Sequence, residues 1–145
     1  MPRQIVSLRL EDARRVIAAG ERKAIEIKIP YNIAVVDVGG GLVAHVRMDG
    51  AWLGGVGIAI DKAWTARAFD TATDGLAQLT QSGQPVTQSG QPGFGLNTTN
   101  QCRVVIFGGG MPIVVDGTVI GAVGASGGSV EQDILVARAA LAGMQ

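Results

Sequence analysis

The sequence predicts an α+β fold in which helices pack on one antiparallel sheet of about five strands. Segments with alternating side chains are joined by short turns, at the glycines 39–41 and at Asp116-Gly117, which is typical of hairpins. Segments with helical spacing lie before, between and after these hairpins. No G-x-G-x-x-G follows a strand and opens a helix, so a parallel dinucleotide-binding sheet is not predicted.

Composition limits the classes of function. A chain of 145 residues, 47% hydrophobic and 17% charged, fits a single domain over residues 1–145. Lys plus Arg and Asp plus Glu number 12 each and form no basic run, so no nucleic-acid partner is predicted. No apolar segment reaches the roughly 18 residues that span a bilayer, so no membrane partner is predicted. Cys102 is the only cysteine, and the N-terminus lacks a signal-peptide core, so we expect a cytoplasmic location.

Five segments carry the side-chain alternation of strands. Asp116 and Gly117 separate the last two, and both residues accept the positive φ that a two-residue hairpin loop requires. Cys102 lies in an apolar segment and is predicted to be in the core. The predicted strands are residues 31–38, 42–48, 101–107, 112–115 and 118–125.

Helical spacing of apolar side chains predicts four helices. Ser7 is the predicted N-cap of the first, and Ser129 with Gln132 forms the capping-box pattern at the start of the last. Residues 80–92 repeat the sequence TQSGQP and are predicted to form a surface loop. The predicted helices are residues 8–27, 56–69, 73 to about 79, and 129 to about 141.

The glycine-rich start of the last helix is the first candidate site. Ser126, Gly127 and Gly128 end a strand just before the helix. The unpaired N–H groups and the helix dipole at such a position attract a carboxylate or a phosphate. The alternative is an ordinary capped helix, in which the chain's own Glu131 and Asp133 supply the negative charge.

Charged side chains in the first half of the chain form two further candidates. Arg47 and Asp49 follow a strand beside Asp37, where the arginine could hold a small carboxylate through two hydrogen bonds or form a structural ion pair. Lys62, with Thr65 three residues on, could face a dry pocket and act as a base or bind an acid, or it could reach solvent. In an enzyme that moves protons on a carbonyl acid, Lys62 or Asp37 would be the general base.

His45 is the only histidine in the sequence. It cannot belong to a multi-histidine metal site, and a single cysteine provides no zinc cluster, so no metal site is predicted. His45 could still ligate the iron of a haem. The alternative is a strand histidine that faces solvent or a neighbouring subunit.

Five motifs, in order along the chain, resemble the GlcG/HbpS family. This family includes the C-terminal domain of PduO-type cobalamin adenosyltransferases and small proteins encoded beside glycerol and diol dehydratases. The segment GLNTTNQCRV at residues 95–104 is most similar to the dehydratase-linked members. The five motifs are IAVVDVGG at 33–40, RMDGA at 47–51, IDKAWTA at 60–66, FGGGMPI at 107–113 and VIGAVGASGG at 119–128.

The resemblance implies a profilin-like fold and homo-oligomers, as tetramers or octamers. Some members bind haem and are linked to haem degradation, and others belong to glycolate, propanediol or glycerol pathways. In PduO-type members the haem-ligating histidine lies in the N-terminal helix, and residues 8–27 of this chain contain no histidine. If this chain binds haem as its cofactor, the expected ligand is His45 or a hydroxyl such as that of Thr65.

The sequence therefore predicts an oligomeric accessory protein of two- or three-carbon organic acid or diol metabolism that binds a small anionic metabolite. The predicted ligand-binding residues are Arg47, Asp49, Lys62, Thr65, and Ser126 with Gly127 and Gly128. Two alternatives stay open. One is a haem-binding or haem-degrading module, and the other is an enzyme that transfers protons on a small carbonyl acid.

Overall fold

A computed structural model describes residues 1–76, 89–90 and 93–145. Within them, four strands form one antiparallel sheet. They are β1 (Asn32–Asp37), β2 (Leu42–Arg47), β3 (Gly110–Val115) and β4 (Thr118–Ser126). Their spatial order is β2-β1-β4-β3, so the two predicted hairpins lie side by side with β1 paired to β4.

Helices cover both faces of the sheet. The α-helices of the described residues are α1 (Leu10–Glu26), α2 (Gly55–Phe69), α3 (Thr73–Leu76) and α4 (Val130–Leu141). Ile33 and Val35 of β1 belong to the core shared with α1 and α4. Val36 points to the other face and packs against Ala63 and Ala66 of α2. Because β1 is buried on both faces, its four central residues, 33–36, are all apolar.

Local sequence signals placed two boundaries correctly. Asp116 and Gly117 have φ values of 49° and 75°, as the predicted two-residue hairpin loop requires. The capping box at α4 is also confirmed, since Ser129 Oγ accepts the N–H of Gln132 at 3.2 Å and Gln132 Oε1 accepts the N–H of Ser129 at 2.8 Å.

The predicted N-cap of the first helix was wrong. The helix begins at Leu10, and the Asp12 carboxylate accepts the N–H of Arg9 at 2.8 Å. Ser7 Oγ instead accepts the N–H of Val38 at 3.2 Å. Ser7 therefore ties the N-terminal arm to the end of β1 and plays no part in starting the helix.

The predicted fifth strand, residues 101–107, is not a strand, so the sheet has four strands and not about five. The backbone of Asn100, Gln101 and Cys102 has φ values of 53°, 59° and 62°, a left-handed conformation that no strand contains. Cys102 is exposed, so its predicted place in the core was also wrong. Side-chain alternation alone did not reveal that this segment leaves the sheet.

The segment after Cys102 is held by α2 instead. The Thr65 hydroxyl donates to the carbonyl of Arg103 at 3.1 Å and accepts the N–H of Val105 at 3.1 Å. A side chain thus satisfies backbone groups that a neighbouring strand would otherwise pair.

The predicted loop at 80–92 lies outside the described residues apart from Ser89 and Gly90, as does the predicted end of the third helix. In the described residues, no helix combines the length and the apolar character that crossing a bilayer requires.

Candidate ligand-binding groove

Lys62 of α2 is buried in an ion pair with Asp133 of α4. Its Nζ lies 2.6 Å from Asp133 Oδ2 and 3.0 Å from the carbonyl oxygen of Ala125, and it sits 4.9 Å from the centroid of the Phe107 ring. Lys62 has no exposed surface, and Asp133 is 4% exposed. Burial lowers the pKa of Lys62, and the Asp133 carboxylate acts in the opposite direction. In this structure Lys62 therefore faces no solvent-filled pocket.

Asp133 also occupies the glycine-rich start of α4. Its Oδ1 accepts the N–H groups of Gly127 and Gly128, each at 3.1 Å. Ser126 lies next to them and is buried. The structure thus brings Lys62, Gly127 and Gly128 together, but around the chain's own carboxylate. The negative charge that the sequence led us to expect from an external anion is supplied by Asp133.

Arg47 does not join this cluster. Its Nε donates to the carbonyl of Ala51 at 3.0 Å and so closes the turn that follows β2. Asp49 lies exposed in the same turn. Within the described part of the chain, no hydrogen bond or ion pair links Arg47 to Lys62 or to Asp49.

The other two candidates, Asp37 and Thr65, also stabilise backbone. Asp37 Oδ1 accepts the N–H of Gly39 at 2.9 Å and that of Gly41 at 3.0 Å, which fixes the turn between β1 and β2. Thr65 has no exposed surface, and its hydroxyl already makes the two bonds that hold residues 103–105. Thr65 is therefore not presented to a ligand, and Asp37, which is half-buried, uses Oδ1 to hold its own turn.

His45 lies on β2 opposite Ala34. Its Nε2 is enclosed by the chain and has no hydrogen-bond partner among the described residues. Burial lowers the pKa of His45, so its imidazole is neutral at pH 7. A neutral imidazole can bind iron, but an enclosed nitrogen cannot be approached by a porphyrin. Haem ligation through Nε2 of His45 therefore does not fit this structure.

An open groove lies between the first half of α2 and residues 97–107. It has a volume of about 710 Å³, which is in the range of ligand-binding clefts. Most of the lining is apolar, and Trp52 and Leu53, both more than 70% exposed, directly precede it in the chain. The lining residues are Gly54, Gly57, Ile58, Asp61, Asn97, Thr98, Cys102, Val104, Val105, Ile106 and Phe107.

Two glycines leave the α2 wall of this groove open. A Cβ placed on Gly54 or Gly57 would meet no atom within 4 Å. A Cβ on Gly55, between them, would lie 2.6 Å from Asn32 Nδ2. Packing therefore requires glycine at 55, whereas no contact of the described chain requires it at 54 or 57. Glycine in a helix costs about 0.5–1 kcal/mol relative to alanine, and here it leaves backbone that a ligand can approach closely.

A second cleft, of about 730 Å³, lies under the N-terminal arm. Its lining includes Arg67, whose guanidinium already donates to the Val38 carbonyl and to Asp70. The arm residues Ile5 and Val6 line it too and are themselves more than 60% exposed. The groove beside α2 is the better candidate site, because one wall is a helix packed on the sheet and the Thr65 hydroxyl holds the other wall against that helix.

Comparison with known proteins identifies the family. The family model described as "Haem degrading protein HbpS-like" matches residues 8–142. The chain belongs to the HbpS-like family. This HbpS-like chain is 44% identical over 138 residues to an uncharacterised 15.0 kDa protein from the dhaT–dhaS intergenic region of Citrobacter freundii, covering 95% of the chain and 92% of that protein. The resemblance predicted from the five sequence motifs is thus confirmed.

Two further relatives connect the chain to PduO. It is 37% identical over 137 residues to the corrinoid adenosyltransferase PduO of Salmonella typhimurium, which covers 94% of the chain but only 39% of PduO. It also matches the crystal structure of the PduOC:heme complex with a TM-score of 0.85, 38% identity and 95% coverage of both chains. The HbpS-like chain therefore corresponds to about two fifths of PduO.

The groove was missed by reasoning from sequence. The signal that could have indicated it is the pair Gly54 and Gly57 at a helix start, where no turn requires positive φ. The second wall could not have been found, because most of it, residues 101–107, was predicted to be a strand of the sheet.

Proposed function

We propose that this HbpS-like chain is a haem-binding-type module that holds a flat, largely apolar ligand in the groove between α2 and residues 97–107. The observation that carries the proposal is the open backbone at Gly54 and Gly57, facing an apolar wall. Two findings support the haem class of ligand. The chain belongs to a family described by haem degradation, and a 38% identical structure is a heme complex.

The groove residues fit such a ligand without histidine. Ile58 and Phe107 offer apolar surface on opposite walls, and the Phe107 ring is held in place by the Lys62 ammonium behind it. Cys102 carries an exposed thiol on the wall, and because cysteine thiolates bind haem iron in other proteins, Cys102 is the residue that would hold the iron. A bound haem would supply redox chemistry at its iron. The chain's own contribution is to shape the site and to provide the thiol.

The sequence also predicted anion binding and proton transfer, and in this structure most of the groups expected to carry them make contacts within the chain. The Asp133 carboxylate binds the Lys62 ammonium and the N–H groups of Gly127 and Gly128, so these groups do not hold an external anion in this structure. Of the bases proposed for proton transfer, Lys62 is buried in its ion pair, and Asp37 Oδ1 holds the turn between β1 and β2. The accessory role in organic acid or diol metabolism, and self-association as a tetramer or octamer, stay predictions.

Titration of the full chain with hemin, followed at the Soret band, tests the proposal. We expect a saturable shift of the Soret band with the wild type. The Gly57→Leu variant should bind hemin at least about tenfold more weakly, a loss of about 1.4 kcal/mol, because the leucine side chain would occupy the groove. Arg14→Leu is the control, since it places the same side chain on an exposed position of α1. Cys102→Ser should change the position of the Soret band if the thiolate binds iron.

Two results would contradict the proposal. One is the absence of any saturable change with the wild type. The other is hemin binding by Gly57→Leu that is as tight as that of the wild type and of Arg14→Leu.

A further inference from the structure

Arg103 is held in one orientation beside the groove. Its Nε donates to Asp61 Oδ1 at 3.1 Å, and its guanidinium carbon lies 4.5 Å from the centroid of the Trp64 ring. Its backbone carbonyl accepts the Thr65 hydroxyl. An ion pair, an aromatic ring and a backbone bond therefore fix a side chain that would otherwise be mobile on a surface.

The Arg103 side chain does not itself line the groove, but its guanidinium lies 3.1 Å from the carboxylate of a residue that does. Its ion-pair partner Asp61 lines the groove, and so do both chain neighbours, Cys102 and Val104. About a third of the Arg103 side chain is exposed, so solvent and ligands can reach it. Among the described residues, the guanidinium donates to Asp61 through Nε alone, and its terminal nitrogens donate to no other group.

A guanidinium fixed in this way suits a carboxylate. Arginine offers planar, parallel N–H groups that match the two oxygens of a carboxylate, and its orientation here is already restricted before any ligand binds. The Asp61 charge offsets that of Arg103, so recognition would depend on the direction of the remaining N–H groups more than on net charge. An apolar groove with one such polar group at its edge orients a ligand as well as binding it.

We propose that Arg103 is the residue that recognises a carboxylate on the edge of the groove's ligand. The ligand class is then a flat apolar molecule with a carboxylate side group, such as a porphyrin with its propionates. This inference rests on the proposed function and adds the specificity of the site. The competing explanation is that Arg103 and Asp61 only hold residues 97–107 against α2.

A comparison of hemin with hemin dimethyl ester separates the two explanations, because the ester lacks the carboxylates but keeps the flat ring. We expect Arg103→Gln to bind hemin about tenfold more weakly than the wild type does, a loss of about 1.4 kcal/mol. The same variant should bind the ester with an affinity within about twofold of that of the wild type. Asp61→Asn removes the charge that offsets Arg103 but keeps an oxygen that can accept its Nε–H, so it should tighten hemin binding with little effect on the ester.

The outcomes are distinguishable. Equal weakening of both porphyrins by Arg103→Gln, or loss of both in Asp61→Asn, overturns the recognition role and leaves the groove proposal standing. If neither porphyrin binds to the wild type, the groove proposal fails and this inference fails with it. Thermal melting of each variant shows whether a loss of binding reflects a loss of the fold.

Discussion

Replacing Asp133 by asparagine removes the charge that keeps Lys62 buried. The pair has almost no contact with solvent, with exposures of 0% for Lys62 and 4% for Asp133. Removing one partner of a buried ion pair typically costs about 3–5 kcal/mol, because the other charge is left without compensation. Asparagine keeps an oxygen that can accept the N–H groups of Gly127 and Gly128, so the loss is attributed to Lys62. For a domain of this size we expect the melting temperature to fall by about 10 °C.

A double-mutant cycle read by urea unfolding measures this coupling. Asp133→Asn and Lys62→Met should each be strongly destabilised, and the double variant should recover about 1–3 kcal/mol of their sum. Lys23→Met is the control, because Lys23 pairs at 3.1 Å with Glu26, which is 68% exposed, and this change should cost less than about 1 kcal/mol. A cost for Asp133→Asn no larger than that of Lys23→Met would refute the reasoning, since it would mean that water reaches the pair.

Three further predictions concern stability and use the same unfolding assay. Gly57→Ala should raise the free energy of unfolding by about 0.5–1 kcal/mol, whereas Gly55→Ala should lower it because its Cβ would clash with Asn32. Equal effects of the two changes would contradict the open space at Gly57 and the close packing at Gly55. Ser129→Ala should cost about 1 kcal/mol through loss of the α4 cap, and a cost near zero would mean that the cap is replaced by water. Burial holds the pKa of His45 below its ordinary 6.5, so the unfolded chain binds more protons and the protein loses stability as the pH falls below about 6.5. His45→Gln should remove that part of the loss between pH 7 and pH 5, and an unchanged slope would contradict it.

Much of the fold follows from local patterns in the sequence. The two hairpins were predicted because glycine and Asp116-Gly117 permit turns that few other residues allow. The α4 boundary was predicted because Ser129 and Gln132 satisfy backbone groups within one turn. In each case the determining interaction joins residues a few positions apart, so it is visible in the sequence.

The errors arose where distant residues decide the outcome. Residues 101–107 alternate like a strand, but Thr65, about 40 positions earlier, binds their backbone. Lys62 and Asp133 are 71 positions apart, and nothing in the spacing of either indicates that they pair. The sequence offered the acids of α4 as one alternative for filling the start of that helix, and only the tertiary structure identifies Asp133 as the acid that does so.

Hydrogen–deuterium exchange of the full chain, with and without hemin, tests the location of the ligand most directly. The groove proposal predicts that hemin slows exchange in the first turns of α2 and in residues 97–107, while exchange in α1 is unchanged. Slower exchange in α1, with none in residues 97–107, would contradict it.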